Sequence, residues 1–224
     1  MELQFLMHRC SGSLLAALVL GSTLGHAAEL RVAIKDHHGK ALADAVILAT
    51  PMDPRIASHF KAQVDVVDQV DKQFVPYVRV IYAGSTVRFP NKDNIQHQVY
   101  SFSPAKKFEL PLYAGRQVPP VLFDKPGIVV LGCNIHDWML AYIYVANTPF
   151  FAQTTAAGTA TLGDLPGGEY TVRIWHPGME VAEETTLKHV IVAATDVRDL
   201  EWQLAVKPMR RIPRVSGEST SGYP

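Results

Sequence analysis

Cysteine is nearly absent from this chain, because its 224 residues contain only Cys10 and Cys133. We expect Cys10 to be removed with an N-terminal export signal, which leaves Cys133 alone in the mature protein. A lone cysteine excludes an intramolecular disulfide, although exported proteins normally carry their cysteines in pairs. Cys133 is therefore a packing residue, an intermolecular bridge or a metal ligand, and its neighbours must decide among these roles.

Long apolar runs are missing as well. The run over residues 14–20 is too short to span a bilayer, and no other segment approaches the necessary length, so we expect no stable membrane insertion. Arg9 precedes this run and the small residues Ala27 and Ala28 follow it, which is typical of an export signal. The sequence predicts a signal peptide over residues 1–27, cleaved near Ala27 or Ala28, and a mature protein in the periplasm.

The chain also has no excess of charge of either sign. It contains 21 Lys and Arg residues and 21 Asp and Glu residues, so its formal net charge is zero. A neutral protein lacks the basic field that recruits nucleic acid through the release of counterions. We therefore expect no nucleic-acid partner.

Short apolar stretches rich in Val, Ile, Thr and Tyr alternate with turn signals along the whole chain, which excludes long helices and predicts an all-β fold. The first two stretches predict a hairpin-like opening. Residues 51–74 have no firm assignment, and four prolines with Gly115 predict irregular structure over residues 103–120. The predicted strands lie near residues 30–34, 45–50, 75–82, 86–89, 97–102, 127–131, 140–145, 158–162, 170–175, 190 and 200.

One segment carries recognisable chemistry. Cys133, His136 and Met139 form a C-x2-H-x2-M pattern between two apolar predicted strands, and His97 lies upstream of them. One thiolate, two imidazoles and one thioether are a ligand set that suits copper, and a trigonal His2Cys site with a long axial Met is typical of electron-transfer copper. Zinc is the main competing metal because it also binds Cys and His, but a thioether is a poor zinc ligand.

This pattern resembles the ligand loop of the cupredoxins, and within them that of amicyanin, over roughly residues 75–145. The resemblance implies a Greek-key β-sandwich that binds one type-1 copper ion. It also implies the ligands, which would be His97, Cys133, His136 and Met139. Cupredoxins often have Asn directly after the upstream His, where it ties two ligand loops together, but this chain has Gln98 there. The resemblance therefore does not extend to that hydrogen bond.

Two further resemblances concern the rest of the chain. The strings Phe89-Pro-Asn, Phe123-Asp-Lys-Pro-Gly and Gly132-Cys-Asn-Ile-His-Asp-Trp-Met are similar to bacterial periplasmic proteins labelled methylamine utilization proteins, a label that does not establish a substrate. The strings that start at Gly158 and Gly168 resemble transthyretin-like modules, also called carboxypeptidase regulatory-like domains. These accessory β-strands would pack together from both sides of the copper domain.

The sequence therefore predicts five segments. They are a signal peptide (1–27), N-terminal accessory strands with a connector (28–74), a copper domain (75–148), C-terminal accessory strands (149–206) and a flexible tail (207–224).

The resemblance implies a carrier of single electrons rather than an enzyme, with transient redox partners such as a dehydrogenase or a cytochrome. Multicopper enzymes flank the thiolate ligand with histidine, whereas Gly132 and Asn134 flank Cys133 here. Two alternatives stay open, namely a copper-binding delivery or storage protein and a structural β-sandwich without electron transfer.

Overall fold

The structure is a computed structural model that describes residues 28–57, 60–115 and 118–208. The predicted signal peptide and nearly all of the predicted tail lie outside these residues. Within them the protein is almost entirely β, so the predicted all-β class is confirmed. No helix in this part of the chain is long and apolar enough to cross a membrane.

The described part of the chain contains seventeen strands and two short 3-10 helices, which cover Pro54–Ala57 and Glu183–Thr186. In chain order the strands are β1 (Ala28–Asp36), β2 (Val46–Pro51), β3 (Val64–Val66), β4 (Asp68–Val70), β5 (Gln73–Val75), β6 (Val78–Tyr82), β7 (Ser85–Arg88), β8 (His97–Ser103), β9 (Lys106–Tyr113), β10 (Val121–Phe123), β11 (Gly127–Gly132), β12 (Leu140–Ala146), β13 (Phe150–Gln153), β14 (Thr159–Leu165), β15 (Gly168–Trp175), β16 (Lys188–Val192) and β17 (Val197–Leu204).

Strands β3 and β6 to β12 form a central sandwich. Its larger sheet has the order β6-β12-β11-β8-β9, its smaller sheet has the order β10-β7-β3, and the chain crosses repeatedly between the two. Alternate residues of the facing strands fill the space between the sheets, among them Val87 and Phe123 from the small sheet and Val129, Leu131 and Ile143 from the large one. This buried layer is the platform on which the candidate site is built.

A second sandwich is formed by strands from both ends of the described chain. Its sheets have the orders β14-β1-β17 and β13-β2-β15-β16. Strand β1 pairs antiparallel with β14 and parallel with β17, and β2 lies between β13 and β15. The central sandwich is thus inserted in sequence between strands that share sheets.

The predicted hairpin of β1 and β2 is wrong, because the two strands lie in different sheets. Strand β2 is buried on both faces, which explains the difference. Ile47 and Ala49 face the core of the second sandwich, whereas Val46 and Leu48 pack against the central sandwich. Because both faces of β2 are buried, the backbone N–H and C=O groups on both of its edges need hydrogen-bond partners. Strands β13 and β15 supply them.

The two sandwiches share a third apolar cluster. Val46, Leu48 and Trp175 of the second sandwich pack there against Val78 and Tyr144 of the central one. This contact covers the outer face of the large central sheet along β6 and β12.

Strand β9 lies where irregular structure was expected, and it contains Pro111. It is the edge strand of its sheet, and Pro111 lies where the register between β8 and β9 shifts. An edge position and a bulge both tolerate a residue without a backbone N–H. Residues 64–74, which had no firm assignment, form β3 beside β7 and nearly all of the β4–β5 hairpin.

Candidate metal centre

Three of the four predicted ligands converge in the central sandwich. His97 is the first residue of β8, Cys133 directly follows β11, and His136 lies in the loop between β11 and β12. All three are buried, and their potential ligand atoms lie within 4.8 Å of one another. The Nδ1 atoms of His97 and His136 are 3.2 Å apart, and Cys133 Sγ lies 3.8 Å from His136 Nδ1.

The loop is short because the strands on either side of it remain paired at its base. Gly132, the last residue of β11, is the register partner of Leu140, the first residue of β12. Within the loop the backbone N–H of Met139 donates to the carbonyl of His136 at 2.9 Å, which closes a tight turn. Met139 is buried, and it borders the same cavity of about 180 Å³ as Cys133.

Gly132 packs closely against the side chain of Tyr100. A Cβ atom at this position would lie 2.7 Å from Cζ of Tyr100, whose ring covers the backbone next to Cys133. Any side chain here would displace Tyr100 or the start of the ligand loop.

The surroundings of Cys133 favour its thiolate. Burial alone raises the pKa of this thiol. Hydrogen bonds from His97 and from the backbone N–H groups of Gln98, Ile135 and His136 outweigh that effect, so the pKa lies below its ordinary value. A thiolate is the form of cysteine that binds metals.

The two imidazoles are affected in opposite directions. Burial lowers the pKa of His97, but hydrogen bonds to Cys133 and Asp93 outweigh it and raise the pKa overall. Burial and the nearby charge of His97 both lower the pKa of His136. His136 is therefore held in the neutral form that offers a lone pair to a metal.

Asp93 is a member of the site that sequence reasoning missed. Its Oδ2 atom lies 2.7 Å from Nε2 of His97, on the side of the ring opposite the other two ligands. Burial raises the pKa of Asp93, but hydrogen bonds from the backbone of Lys72 and Asp71 and from His97 lower it overall, so the carboxylate stays ionised. A carboxylate four residues before a ligand His is the only sequence signal for it.

Gln98 uses its side chain away from the ligand loop. Its Nε2 donates to Oε1 of Glu109 on the neighbouring strand β9 at 2.6 Å. Its backbone N–H instead reaches the sulfur of Cys133. Gln98 thus binds the thiolate through its backbone, while its amide joins β8 to β9.

No family model and no curated protein matches the chain. Among solved structures it is similar to a Cu-containing nitrite reductase from Thermus scotoductus, with 26% identity over 43% of this chain and a TM-score of 0.36. The chain spans 27% of the length of that reductase.

It is also similar to a purple cupredoxin from Nitrosopumilus maritimus, with 21% identity, 38% of this chain and 100% of that chain covered, and a TM-score of 0.32. Amicyanin from Paracoccus versutus matches with 21% identity, 45% of this chain and 97% of that chain covered, and a TM-score of 0.34. Each of these three structures matches less than half of this chain.

Proposed function

We propose that the protein is a periplasmic electron carrier that holds one type-1 copper ion with His97, Cys133, His136 and Met139. The observation that carries this proposal is the convergence of two imidazole Nδ1 atoms and the sulfur of Cys133, all in buried side chains. These donors match the His2Cys set that electron-transfer copper uses, and Met139 is buried in the same core cluster as Cys133. When bound, copper would supply a one-electron couple.

The work of the chain itself is to keep the donor atoms fixed. His97 is held by β8, Cys133 by the end of β11, and Met139 by the start of β12, and all three strands belong to one sheet. The packed layer beneath them resists rearrangement. A site that cannot rearrange imposes one geometry on both oxidation states, which keeps the barrier to electron transfer low.

His136 offers the route for electrons to leave the site. It lies nearest the surface among the three converging ligands, and the Trp138 ring, which is 44% exposed, lies 5.3 Å from its ring. Ile135 and Leu140 are exposed on the same loop or at its end. We propose that a redox protein such as a dehydrogenase or a cytochrome docks transiently at this apolar rim.

Visible absorption and electron paramagnetic resonance of the mature protein loaded with Cu(II) test this proposal. We expect an intense thiolate charge-transfer band that disappears in Cys133→Ser and shifts in Met139→Leu. The control is Met52→Leu, because Met52 is exposed and lies in the segment after β2, so its spectrum should match the wild type.

A colourless protein whose bound metal does not change oxidation state would overturn the electron carrier. Copper that binds and exchanges but gives no thiolate band would favour a delivery or storage protein. A failure to bind copper would favour a structural sandwich.

A further inference from the structure

A single carboxylate connects the candidate site to a hairpin outside the two main sheets of the central sandwich. Asp93 lies in the loop before β8, and its side chain is only 13% exposed. Its Oδ2 atom lies 2.7 Å from His97 Nε2. The same carboxylate accepts two backbone N–H groups from the β4–β5 turn, from Asp71 to Oδ1 at 2.7 Å and from Lys72 to Oδ2 at 2.9 Å.

The turn that supplies these donors has an unfavourable backbone. Asp71 and Lys72 have φ values of 53° and 56°, in the left-handed region that favours glycine. Non-glycine residues are disfavoured in that region and persist only where their surroundings fix them. Here this conformation directs both N–H groups at Asp93, which offsets the cost with two hydrogen bonds to a charged acceptor.

The other end of the loop is fixed as well. The backbone N–H of Asp93 donates to Oδ1 of Asn91 at 2.9 Å. Nδ2 of Asn91 donates to the carbonyls of Ile95 and Tyr113 at 2.8 and 2.7 Å. These hydrogen bonds fix the position of Asp93. Its carboxylate contacts the His97 ring at Nε2.

We propose that Asp93 is the positioning residue for His97, and that the β4–β5 turn acts through Asp93 as a clamp on this ligand. This inference rests on the proposed function, since copper is the metal that His97 would bind. A carboxylate on the outer nitrogen of an imidazole fixes the ring and makes the inner nitrogen a better donor, and it favours the more highly charged metal ion. The clamp should therefore stabilise Cu(II) relative to Cu(I).

The main test compares Asp93→Asn with Asp68→Asn. Both substitutions remove one carboxylate charge from the same region, but Asp68 pairs with Lys92 at 2.7 Å on the first strand of the hairpin. We expect Asp93→Asn to weaken Cu(II) binding about 10- to 100-fold and to raise the reduction potential. Asp68→Asn should leave both close to the wild type. Equal shifts in the two variants would overturn the clamp, because the effect would then be one of charge alone.

A second readout needs no copper. In the metal-free protein, the Nε2 proton of His97 should exchange slowly with solvent and give a sharp downfield NMR signal. Asp93→Ala should broaden or remove this signal, whereas Asp93→Glu should restore part of it. An unchanged signal in Asp93→Ala would overturn the proposal. Because this signal does not depend on copper, the clamp and the proposed function can fail separately.

Discussion

The Nδ1 atoms of His97 and His136 face each other at 3.2 Å, although β8 carries the first and the loop after β11 carries the second. At this distance the two Nδ1 atoms would repel each other if both carried a proton. With the sulfur of Cys133 beside them, these nitrogens form a donor set that suits a soft cation.

Copper should therefore stabilise the folded protein. Binding to the native state alone adds about 2.7 kcal/mol at a free metal concentration of 100 times Kd, which a thermal melt detects as a higher Tm. The gain should be largely lost in Cys133→Ser. Equal stabilisation of the wild type and Cys133→Ser would mean that the metal binds elsewhere.

Gly132→Ala should disturb the site from outside its ligand set. The new Cβ would lie 2.7 Å from the ring of Tyr100, so we expect a loss of about 1–3 kcal/mol in urea denaturation and a shift of the copper band. The control is Gly163→Ala in β14, where a Cβ would have nothing within 4 Å. If both variants unfold at the same urea concentration, the contact with Tyr100 has no structural importance.

Trp175→Ala should uncouple the two sandwiches. Trp175 is buried in the shared cluster, 5.7 Å from the ring of Tyr142 and 5.4 Å from that of Tyr144. We expect a loss of about 3–5 kcal/mol in the free energy of unfolding. Trp138→Ala, at an exposed position, should cost no more than about 0.5 kcal/mol. Similar losses of unfolding free energy in both variants would mean that Trp175 does not stabilise the contact between the two sandwiches.

Glu183 gives the contact between the sandwiches a pH dependence. It accepts a hydrogen bond from Tyr144 at 2.6 Å and lies 2.9 Å from Arg173, but burial outweighs both and raises its pKa above 4.5. Above pH 4.5 the unfolded chain releases this proton before the folded protein does, so stability falls as the pH rises through the folded pKa. Glu183→Gln should remove this loss.

Urea denaturation at a series of pH values measures the effect. The stability of Glu183→Gln relative to the wild type should increase from acidic to neutral pH and then level off. The matched control is Glu169→Gln, which also removes one carboxylate but from the exposed face of β15. A constant difference between Glu183→Gln and the wild type would contradict the raised pKa.

The local part of the site could be predicted from sequence. Cys133, His136 and Met139 lie within one short loop, so their spacing alone brings them close, and resemblance to a family supplied His97. Asp93 could not be found in this way, because its role depends on the direction of the outer nitrogen of His97. That direction is set by packing and by the distant turn at Asp71.

The strand pattern predicted the class of the fold but not all of its pairings. Adjacent strands often pair, which favoured a hairpin of β1 and β2. The actual partners lie far along the chain, for example Leu200 beside Val32 and Trp175 beside Val46. The alternation of apolar and polar residues identifies a strand but not its partner. The partner depends on which faces of the strand must be buried. For β2 this is decided by the apolar cluster that the two sandwiches share.

X-ray absorption of the copper-loaded protein in both oxidation states measures the copper ligands themselves. We expect one short copper–sulfur contact from Cys133 and two copper–nitrogen contacts from His97 and His136, nearly unchanged between Cu(II) and Cu(I). Copper surrounded only by nitrogen and oxygen, or a ligand shell that rearranges on reduction, would contradict a type-1 electron carrier.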